Sequence, residues 1–530
     1  MSTTSRRYAA LAGVTAAAVA IGTAEPVAVL TGPRSAPLVA VGGVVVDAVP
    51  EPLKQFAIDV FGTADKIALL TGTALLLAGF AALLGMLAIR WLALGLGGIA
   101  AFGVVGVAAA LTRPGADVFD ALPSLVGGGL GALVLWLFIA GPFELEPWPW
   151  ASPAPVSPAG PPVPVTPAAP VEGVDPESRR RFLTGTGVLL GTAAVAGLGG
   201  RWLAGRRGVS AARDAIRLPA PAVPAPAVPA GADLSLAQLA PYVTPNSGFY
   251  RIDTALVVPQ VNPDTWRLRI HGRVGTERTY TYADLLARPL VERYVTLACV
   301  SNEVGGDLIG NARWLGVPLR ELLDEAQPDA DADQVVGRSV DGWTCGTPTA
   351  ALRDGRDALL AIGMNGEPLP VEHGFPVRMV VPGLYGYVSA CKWVTELELT
   401  RFADFDAYWV PRGWSAQGPI KTQSRIDAPR RRNRLTAGPV TVAGVAWAQH
   451  RGISRVEVRV DDGPWQEAEL APTVSVDTWV QWSWRWDATP GEHRLQVRAT
   501  DSTGETQTER TQSVAPNGAT GWHTVPVNVR

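Results

Sequence analysis

The stretch TLACVSN, residues 296–302, contains the cysteine on which the interpretation of the whole chain depends. Just before it, Val295 and Leu297 alternate with a polar neighbour, which is the period of a half-buried strand. Cys299 therefore follows a predicted strand directly. A soft, high-valent metal favours a thiolate ligand, whereas a single cysteine without further context is more often a small buried apolar residue. The neighbouring motifs decide between these two interpretations.

Further motifs follow the cysteine along the chain. They read GNARWLGV (310–317), MNGEPLP (364–370), HGFPVR (373–378), VPG (381–383) and KW (392–393). In this order they resemble the sulfite oxidase family of molybdenum enzymes, with the resemblance covering residues 245–395. Alternating apolar residues at 266–270 and helical stretches at 282–287 and 319–326 predict a mixed α+β domain for this region.

The resemblance implies a molybdenum–molybdopterin cofactor whose metal is bound by Cys299. Carried over position by position, it implies catalytic roles for Cys299, Arg251 and Arg313; Tyr408 is added as a catalytic candidate because it lies three residues from the position of the family's tyrosine. It implies cofactor contacts at Phe249, Tyr250, Arg251, Asp253, Asn302, Asp341, His373, Arg378, Ser389 and Lys392. In this family the cofactor exchanges an oxygen atom with the substrate in a two-electron step, while the protein positions the reactants.

The residue types suit these roles. Arg378 and Lys392 are cationic donors suited to a phosphate, which an arginine can bind through paired hydrogen bonds. We expect His373 to donate to the pterin phosphate or ring, and Arg313 to attract an oxyanion towards the metal. Taken alone, each of these residues would instead be interpreted as an ordinary surface residue.

The chain departs from the family pattern at two positions. Asp253 stands where the family usually has a histidine, which bears on its contact with the pterin. Pro411, in VPRGWS (410–415), stands where animal and plant sulfite oxidases have a tyrosine beside the metal, although Tyr408 is close in sequence. Proline has no hydroxyl to donate, and the charge of Asp253 would repel a sulfite dianion. The sequence therefore favours a sulfoxide or N-oxide over sulfite as substrate.

The first 143 residues are predicted to form a membrane domain of about four spans. Charge-free apolar stretches at 67–89, 91–111 and 121–143 are each long enough to cross a bilayer, and residues 8–29 form a fourth candidate. Residues 35–46 are too short and are interpreted as a re-entrant or interfacial segment. Since arginines lie at positions 6, 7 and 90, the N-terminus is expected in the cytoplasm.

An export signal is predicted after the membrane domain. Residues 144–177 are rich in Pro and Ala, as expected of an extended linker. SRRRFL (178–183) and the Gly-rich stretch after it resemble a twin-arginine signal, with an anchor over 178–204. The alternative is a plain fifth span. Both interpretations place the second linker (205–231) and the catalytic domain (232–430) outside the cytoplasmic membrane.

Residues 431–530 have an all-β pattern. Alternating apolar residues at 456–460 precede an Asp-Asp-Gly turn, and tryptophans alternate over 482–486. Short strands separated by turns predict an immunoglobulin-like sandwich. It resembles the dimerisation domain that closes sulfite oxidase chains, which implies a homodimer.

Composition narrows the partners. A formal charge of -3 and a pI near 6.0 give no electrostatic reason to bind nucleic acid. No histidine precedes His271, Met86 is the only thioether in the spans, and no CxxCH motif exists, so no haem is expected. Electrons must then pass to a separate partner protein or a diffusible carrier. The two remaining cysteines, Cys345 and Cys391, either form a disulfide or are two buried thiols, and the sequence leaves both alternatives open.

Two other functions compete with the enzyme. One is a catalytically inactive module of the same fold that serves binding or scaffolding on a membrane anchor. Retention of Cys299, His373, Arg378 and Lys392 argues against it. The other is a transport path through the four spans, which lack the charged or His-rich interior that usually marks such a path.

Overall fold

Helices occupy the first part of the chain and β-sheets dominate the rest. The computed structural model describes residues 3–49, 65–113, 116–143, 176–206, 208–430 and 434–530. The chain divides into two units, Met1–Gly208 with Ala255–Val257, and Val209–Thr254 with Val258–Arg530. Most of the linker expected at 144–177 lies outside the described residues.

The helices of the first unit are α1 (Thr3–Thr31), α2 (Pro37–Ala48), α3 (Asp65–Ala88), α4 (Leu92–Leu111), α5 (Leu122–Ile139) and α6 (Pro176–Arg206). Within the described part of the chain, five helices are long and apolar enough to cross a membrane, at Arg6–Thr31, Ala68–Ala88, Leu92–Leu111, Val118–Ile139 and Pro176–Leu203. The shorter apolar helix Pro37–Val46 is not among them. Each apolar stretch predicted from the sequence is therefore helical.

The long helices approach closely where side chains are small. A Cβ added at Gly13 of α1 would lie 1.9 Å from the Ala81 carbonyl oxygen of α3. One added at Gly22 of α1 would lie 2.4 Å from the Ala193 carbonyl oxygen of α6. Helix association in a membrane relies on such small residues, because lipid tails remove the hydrophobic driving force. The Gly-rich stretch that follows SRRRFL thus packs against α1.

Paired contacts give the relative direction of α1 and α6. Near their first turns, the rings of Tyr8 and Phe182 lie 5.3 Å apart. Near their last turns, Glu25 and Arg201 form an ion pair at 3.4 Å. Since the starts meet and the ends meet, the two helices are parallel.

The helices α3 and α5 run in the opposite direction. A Cβ at Gly85, near the end of α3, would lie 2.1 Å from the Ala9 carbonyl oxygen, near the start of α1. The ring of Phe138, near the end of α5, lies 4.8 Å from that of Phe182. The ends of α3 and α5 and the starts of α1 and α6 therefore lie at one end of this unit.

The second unit opens with a mixed region whose helices are α7 (Ser210–Ala215), α8 (Tyr282–Leu286), α9 (Leu319–Ala326) and α10 (Gly386–Ser389). Its strands are β1 (Arg267–Gly272), β2 (Arg278–Thr281), β3 (Val291–Ala298), β4 (Ile309–Pro318), β5 (Gln334–Ser339), β6 (Thr344–Pro348), β7 (Leu359–Met364), β8 (Glu367–Pro368), β9 (Arg378–Val380) and β10 (Val394–Thr400). One sheet has the order β2-β1-β10-β5-β6, and a second has the order β3-β4-β7-β8 with β9 paired to β7.

The apolar residues that alternate in the sequence are the buried residues of the strand. In β1, Leu268 and Ile270 are fully buried while Arg267 and Arg269 are exposed. Strand β1 pairs in parallel with β10, which comes much later in the chain, and in antiparallel fashion with β2. Strand β3 pairs with β4 along its whole length and ends at Ala298, directly before Cys299.

The C-terminal strands form two facing sheets. They are β11 (Gln423–Ala428), β12 (Arg434–Leu435), β13 (Gly438–Trp447), β14 (Ile453–Val460), β15 (Gln466–Glu467), β16 (Glu469–Leu470), β17 (Val480–Ala488), β18 (Gly491–Asp501) and β19 (His523–Val529). The sheet orders are β11-β13-β17-β16 and β12-β19-β18-β14-β15. Trp482, Val456 and Leu495 lie in the core between them. The sandwich includes β11, although the sequence placed its start at residue 431.

The polar sequence of β11 explains this difference. Gln423, Ser424 and Arg425 are all buried, so the strand lacks the apolar alternation by which strands are recognised. Their side chains are satisfied instead by hydrogen bonds, such as that from the Ser424 hydroxyl to the Gln507 side-chain oxygen at 2.7 Å.

Candidate active site

Cys299 begins a tight loop between β3 and β4, the Cys299 turn (residues 299–308). Its N–H donates to the Leu308 carbonyl at 2.9 Å, and its carbonyl accepts the Asn302 N–H at 3.1 Å. The Asn302 side-chain oxygen accepts the Leu308 N–H at 2.9 Å. Asn302, expected as a cofactor contact, therefore shapes the turn that presents the cysteine.

The Cys299 thiol is almost fully enclosed. Cys299 is 8% exposed, and its Sγ accepts the Ser301 N–H at 3.4 Å. Burial raises the pKa of the thiol, and the hydrogen bond from Ser301 opposes this only in part. A bound metal ion deprotonates a coordinating thiol, so the site fits a soft metal better than a free nucleophile.

Aromatic rings form one wall beside the thiol. Phe249 stacks on Tyr250 with ring centroids 5.2 Å apart, and it makes edge contacts with Trp314 at 5.7 Å and His373 at 5.6 Å. Burial, followed by the proximity of Cys299, raises the pKa of Tyr250. Of the two predicted cofactor contacts, Tyr250 thus lies close to Cys299, and Phe249 stacks on Tyr250.

Arg378 is a buried cation. It is 5% exposed, and its guanidinium donates to the His373 carbonyl at 3.1 Å and to the Met379 carbonyl at 3.4 Å. Burial lowers the pKa of Arg378 to about 10. Among the described residues, no carboxylate pairs with it. Because a buried charge is costly unless it is paired, this position fits an anionic group such as a phosphate.

Lys392, Asp253 and Arg251 form a chain of ion pairs. The Lys392 Nζ donates to Asp253 at 2.7 Å and to the Glu372 carbonyl at 3.2 Å. Arg251 reaches the same carboxylate at 2.9 Å. Burial lowers the pKa of Lys392 to about 8, and Asp253 opposes that shift. The charge of Asp253 is thus balanced by two cations, so the repulsion of sulfite expected from the sequence has no basis in this arrangement.

One ring nitrogen of His373 is hydrogen-bonded to the backbone. It is 3% exposed, and its Nε2 lies 3.2 Å from the Asn246 carbonyl oxygen. A carbonyl can only accept, so Nε2 carries the proton. Burial, followed by the charges of Arg378 and Lys392, lowers the pKa of His373 to about 4. The remaining Nδ1 is therefore an acceptor, an arrangement that does not support the expected donation from His373 to the pterin phosphate or ring.

Arg313 lies away from the Cys299 turn. It sits four residues into β4 from Ile309, which is about 13 Å at the rise of an extended strand. Its guanidinium pairs with Glu292 at 3.2 Å, and its N–H donates to the Asn365 side chain at 2.9 Å. These contacts do not support the substrate role expected for Arg313.

Tyr408 is held by a residue of β6 and by two residues of its own loop. Its N–H donates to the Thr344 hydroxyl at 2.9 Å, and its ring lies 3.8 Å from the Arg412 guanidinium and 5.1 Å from the Trp409 ring. Pro411 is exposed, in a 3-10 turn over Val410–Arg412. These contacts connect Tyr408 to β6 and to its own loop.

Asp341 and Ser389 shape the loops around the pocket. Asp341 accepts the Trp343 N–H at 3.1 Å, which closes a tight turn. The fully buried Ser389 hydroxyl donates to the carbonyls of Tyr385 at 2.9 Å and Leu384 at 3.1 Å. Both residues were expected to contact the cofactor. In the structure their polar groups support the backbone of the loops that carry them.

Two residues of the site were missed from the sequence. Tyr385 is buried, and its pKa rises to about 12 through burial, with a further contribution from Cys299. Asn246 supplies the carbonyl that holds His373 and lies just ahead of Phe249 in the chain. Proximity to the quoted motifs is a usable signal for both, whereas neither residue type indicates the chemistry.

The two other cysteines lie side by side. Cys345 and Cys391 are fully buried, the Cys391 thiol donates to the Lys392 carbonyl at 3.7 Å, and all three cysteines of the chain are free thiols. A Cβ at Gly337 would lie 3.0 Å from the Cys345 Sγ and 3.2 Å from the Cys391 Cβ. The absence of a side chain at Gly337 therefore makes room for both.

Comparison with known proteins agrees with this geometry. Residues 255–409 match the oxidoreductase molybdopterin binding domain family, and residues 423–497 match the bacterial Ig domain family. The second match begins at β11, as the sandwich does. The fold and these two matches thus define the class of protein, one with a molybdopterin-binding oxidoreductase domain followed by an Ig-like domain.

Relatives specify the family. Mitochondrial sulfite oxidase of Mus musculus is 33% identical over 46% of this chain and 52% of its own length. Sulfite oxidase of Gallus gallus is 30% identical over 53% of this chain and 72% of its own length. The chain belongs to the sulfite oxidase family. It spans about half the length of the mammalian relatives it matches.

Two further proteins are similar to it. An uncharacterized oxidoreductase of Bacillus subtilis (strain 168) is 31% identical over 29% of this chain and 74% of its own length. The solved structure of the sulfane dehydrogenase SoxCD from Paracoccus pantotrophus aligns with a TM-score of 0.48 and 25% identity, over 55% of this chain and 84% of that chain.

Proposed function

We propose that this chain is a membrane-anchored molybdenum-cofactor oxidoreductase that transfers an oxygen atom to or from a small or protein-borne substrate outside the cytoplasmic membrane. Two observations together carry the proposal: Cys299 has an enclosed thiol, and Arg378 is a buried cation with which no carboxylate pairs among the residues that the structure describes. A metal–dithiolene cofactor with a phosphate tail supplies what each of these groups lacks.

Each residue near Cys299 would bind a different part of this cofactor. Cys299 would supply the protein's sulfur ligand to the metal. Arg378 and Lys392 would bind the phosphate, while the His373 Nδ1 would accept a hydrogen bond from the pterin. Phe249 would exclude water from one side. When bound, the cofactor supplies the two-electron oxygen-atom exchange.

A sulfoxide or N-oxide is our proposed substrate, with sulfite as the weaker candidate. Pro411 has no hydroxyl to offer a developing oxyanion, and the ring of Tyr408 is engaged by Arg412. Asp253 no longer contributes to this preference, since Lys392 and Arg251 balance its charge. The preference thus rests on the missing hydroxyl.

The helix directions support an extracytoplasmic catalytic domain. Arginines at positions 6, 7, 90 and 179–181 all lie next to the end of the first unit where α1 and α6 start and α3 finishes. Arg34, Arg113 and Arg201 lie next to the opposite end, so the arginines alone do not orient the unit; the twin-arginine-like SRRRFL at the start of α6 favours that start as the cytoplasmic end. Because α6 starts at that end and crosses once, residue 208 and those after it would emerge on the opposite side.

The electron partner is proposed to be a separate protein or a diffusible carrier, because the pattern of His, Met and Cys offers no haem ligands in the helical unit. We also propose a homodimer through the C-terminal sandwich, by its resemblance to the dimerisation domain of the family. The inactive scaffold considered from the sequence gains no support from the relatives.

Metal analysis and an activity panel test the proposal together. The full chain, purified from cells that make the cofactor, should contain about one molybdenum and one molybdopterin per chain. It should turn over at least one sulfoxide, N-oxide or sulfite with an artificial electron carrier. Cys299→Ser should abolish turnover in a folded protein, because an alkoxide is a poor ligand for this metal. Activity of folded Cys299→Ser within tenfold of wild type contradicts the proposal.

A further inference from the structure

The far end of the Cys299 turn is held by the C-terminal sandwich. Arg425, on β11, donates from Nη1 to the Gly306 carbonyl at 2.6 Å. The Gly306 N–H in turn donates to the Glu303 carbonyl at 2.9 Å, within the turn. A charged donor makes a shorter and roughly twice stronger hydrogen bond than a neutral one. The conformation of the metal-binding turn is thus coupled to a strand of the sandwich.

Arg425 is itself fixed by a second residue of the same strand. Asp427 binds it through two contacts, Nε to Oδ1 at 2.6 Å and Nη2 to Oδ2 at 3.2 Å. Both side chains are 9% exposed. Asp427 also accepts the Ala240 N–H at 3.1 Å. The carboxylate balances the buried guanidinium and leaves Nη1 for Gly306, which is a fixed geometry rather than a surface ion pair.

A second residue of the sandwich packs on the same turn. A Cβ at Gly305 would lie 2.2 Å from the His523 Cδ2, so the imidazole rests directly on this glycine. The His523 Nδ1 accepts the Ile426 N–H at 3.0 Å. Burial and then Arg425 lower the pKa of His523 to about 4, so the ring is neutral and keeps this bond at neutral pH. The turn is therefore held at 305 and 306.

We propose that Arg425 is a positioning residue for Cys299, and that the Ig-like sandwich thereby contributes to the active site of the same chain. The inference rests on the proposed function in that Cys299 binds the metal. The Cys299 N–H and the Leu308 carbonyl close the turn, and Gly306 lies between them. Fixing the Gly306 carbonyl limits the paths the backbone can take from Cys299 to β4, and so the direction in which the thiol is presented.

The test compares Arg425→Ala, Arg425→Lys and Asp427→Asn in the full cofactor-loaded chain. Arg455→Ala is the matched control, because Arg455 lies on β14, is 46% exposed and pairs with Glu457. The readouts are hydrogen exchange of peptides covering 299–309, the thiolate-to-metal absorption band, and kcat and KM measured separately.

We expect Arg425→Ala to raise exchange across 299–309 about tenfold, to shift the absorption band, and to lower kcat about tenfold with little change in KM. Arg425→Lys should recover part of each effect, because lysine can still donate to Gly306 but cannot bind Asp427 through two nitrogens. The control should match wild type. If Arg425→Ala does not fold, Arg425→Lys and Asp427→Asn carry the test with smaller changes of the same sign.

An unchanged absorption band and unchanged exchange in the folded Arg425 variants would overturn the inference. A wild-type chain without molybdenum would overturn the proposed function instead. Hydrogen exchange of the metal-free chain separates the two, since the bond from Arg425 to Gly306 does not require the cofactor.

Discussion

Lys392 donates to Asp253 at 2.7 Å with only 10% and 4% of the two side chains exposed. At the position of Asp253, the family pattern usually has a histidine. Asp253→Asn leaves the Lys392 ammonium buried without its counter-charge. We expect it to lower the free energy of unfolding of the metal-free chain by about 3–5 kcal/mol.

Chemical denaturation of the metal-free chain measures this effect. Asp354→Asn is the control, because its pair with Arg356 is 39% exposed on the aspartate side. The control should change the free energy of unfolding by less than about 1 kcal/mol. Equal effects of the two substitutions would show that Asp253 does not serve as a buried counter-charge.

His373 should make the metal-free chain sensitive to mild acid. Its pKa in the folded chain is about 4, below the usual 6.5, because of burial and of Arg378 and Lys392. As the pH falls, the unfolded chain takes up this proton first. The stability due to neutral His373 is complete above pH 6.5 and is lost between 6.5 and 4, by up to about 3 kcal/mol.

Urea unfolding of wild type and His373→Gln between pH 4 and 7.5 isolates this contribution, since only wild type should show the extra slope. His493 gives a control of opposite sign. Asp461 raises its pKa, so its contribution is present in acid and is lost as the pH rises. Equal slopes for wild type and His373→Gln would contradict the prediction.

Export should depend on the arginine pair that opens α6. Arg179 and Arg180 are exposed, while Phe182 behind them is buried. Replacing both arginines by lysine should keep the catalytic domain inside the cell, because the export machinery reads the guanidinium pair and not charge alone. Protease accessibility of residues 232–530 in spheroplasts is the measurement.

The neighbouring Arg181→Lys is the matched control for export and should leave accessibility unchanged. It keeps the same helix and removes a guanidinium next to the pair. If the double variant remains as accessible as wild type, α6 is a plain membrane span rather than an export signal.

Cys345 and Cys391 should form a disulfide in the exported chain. Both side chains lie against Gly337, and the neighbouring Cys391 side chain lowers the pKa of Cys345, which favours the thiolate that attacks a disulfide oxidant. In the exchange both thiols lose a proton, and the oxidant accepts the two electrons. Mass spectrometry of non-reduced peptides should find one Cys345–Cys391 crosslink; two free thiols in exported protein would count against it.

Sulfite should not be the best substrate. The value of kcat/KM for sulfite should fall below that for at least one sulfoxide or N-oxide, because Pro411 cannot donate the hydrogen bond that a tyrosine would supply. Steady-state kinetics on the loaded chain measures both. A higher value for sulfite than for every oxide tried would reverse the assignment, and Tyr408 would then be the first residue to replace.

Features that depend on neighbouring residues were determined by the sequence itself. The alternating residues before Cys299 form the end of β3, and the apolar stretches form helices. Both could be predicted because the burial of one face of a strand, or of a whole helix, produces a local pattern of apolar residues. The motifs around Cys299, His373 and Arg378 were enough to indicate the family and its cofactor. In the structure Arg378 donates to the His373 carbonyl, and Tyr250 lies close to both Cys299 and Arg378.

Contacts between distant parts of the chain were decided only by the tertiary structure. Lys392 and Asp253 are 139 residues apart, and Arg425 reaches Gly306 across 119 residues. No local pattern records such pairs, since a charged side chain looks the same in sequence whether it meets solvent or a buried partner. For the same reason the role expected of Arg313 found no support: its type suited an oxyanion, but its position along β4 gave it Glu292 as a partner.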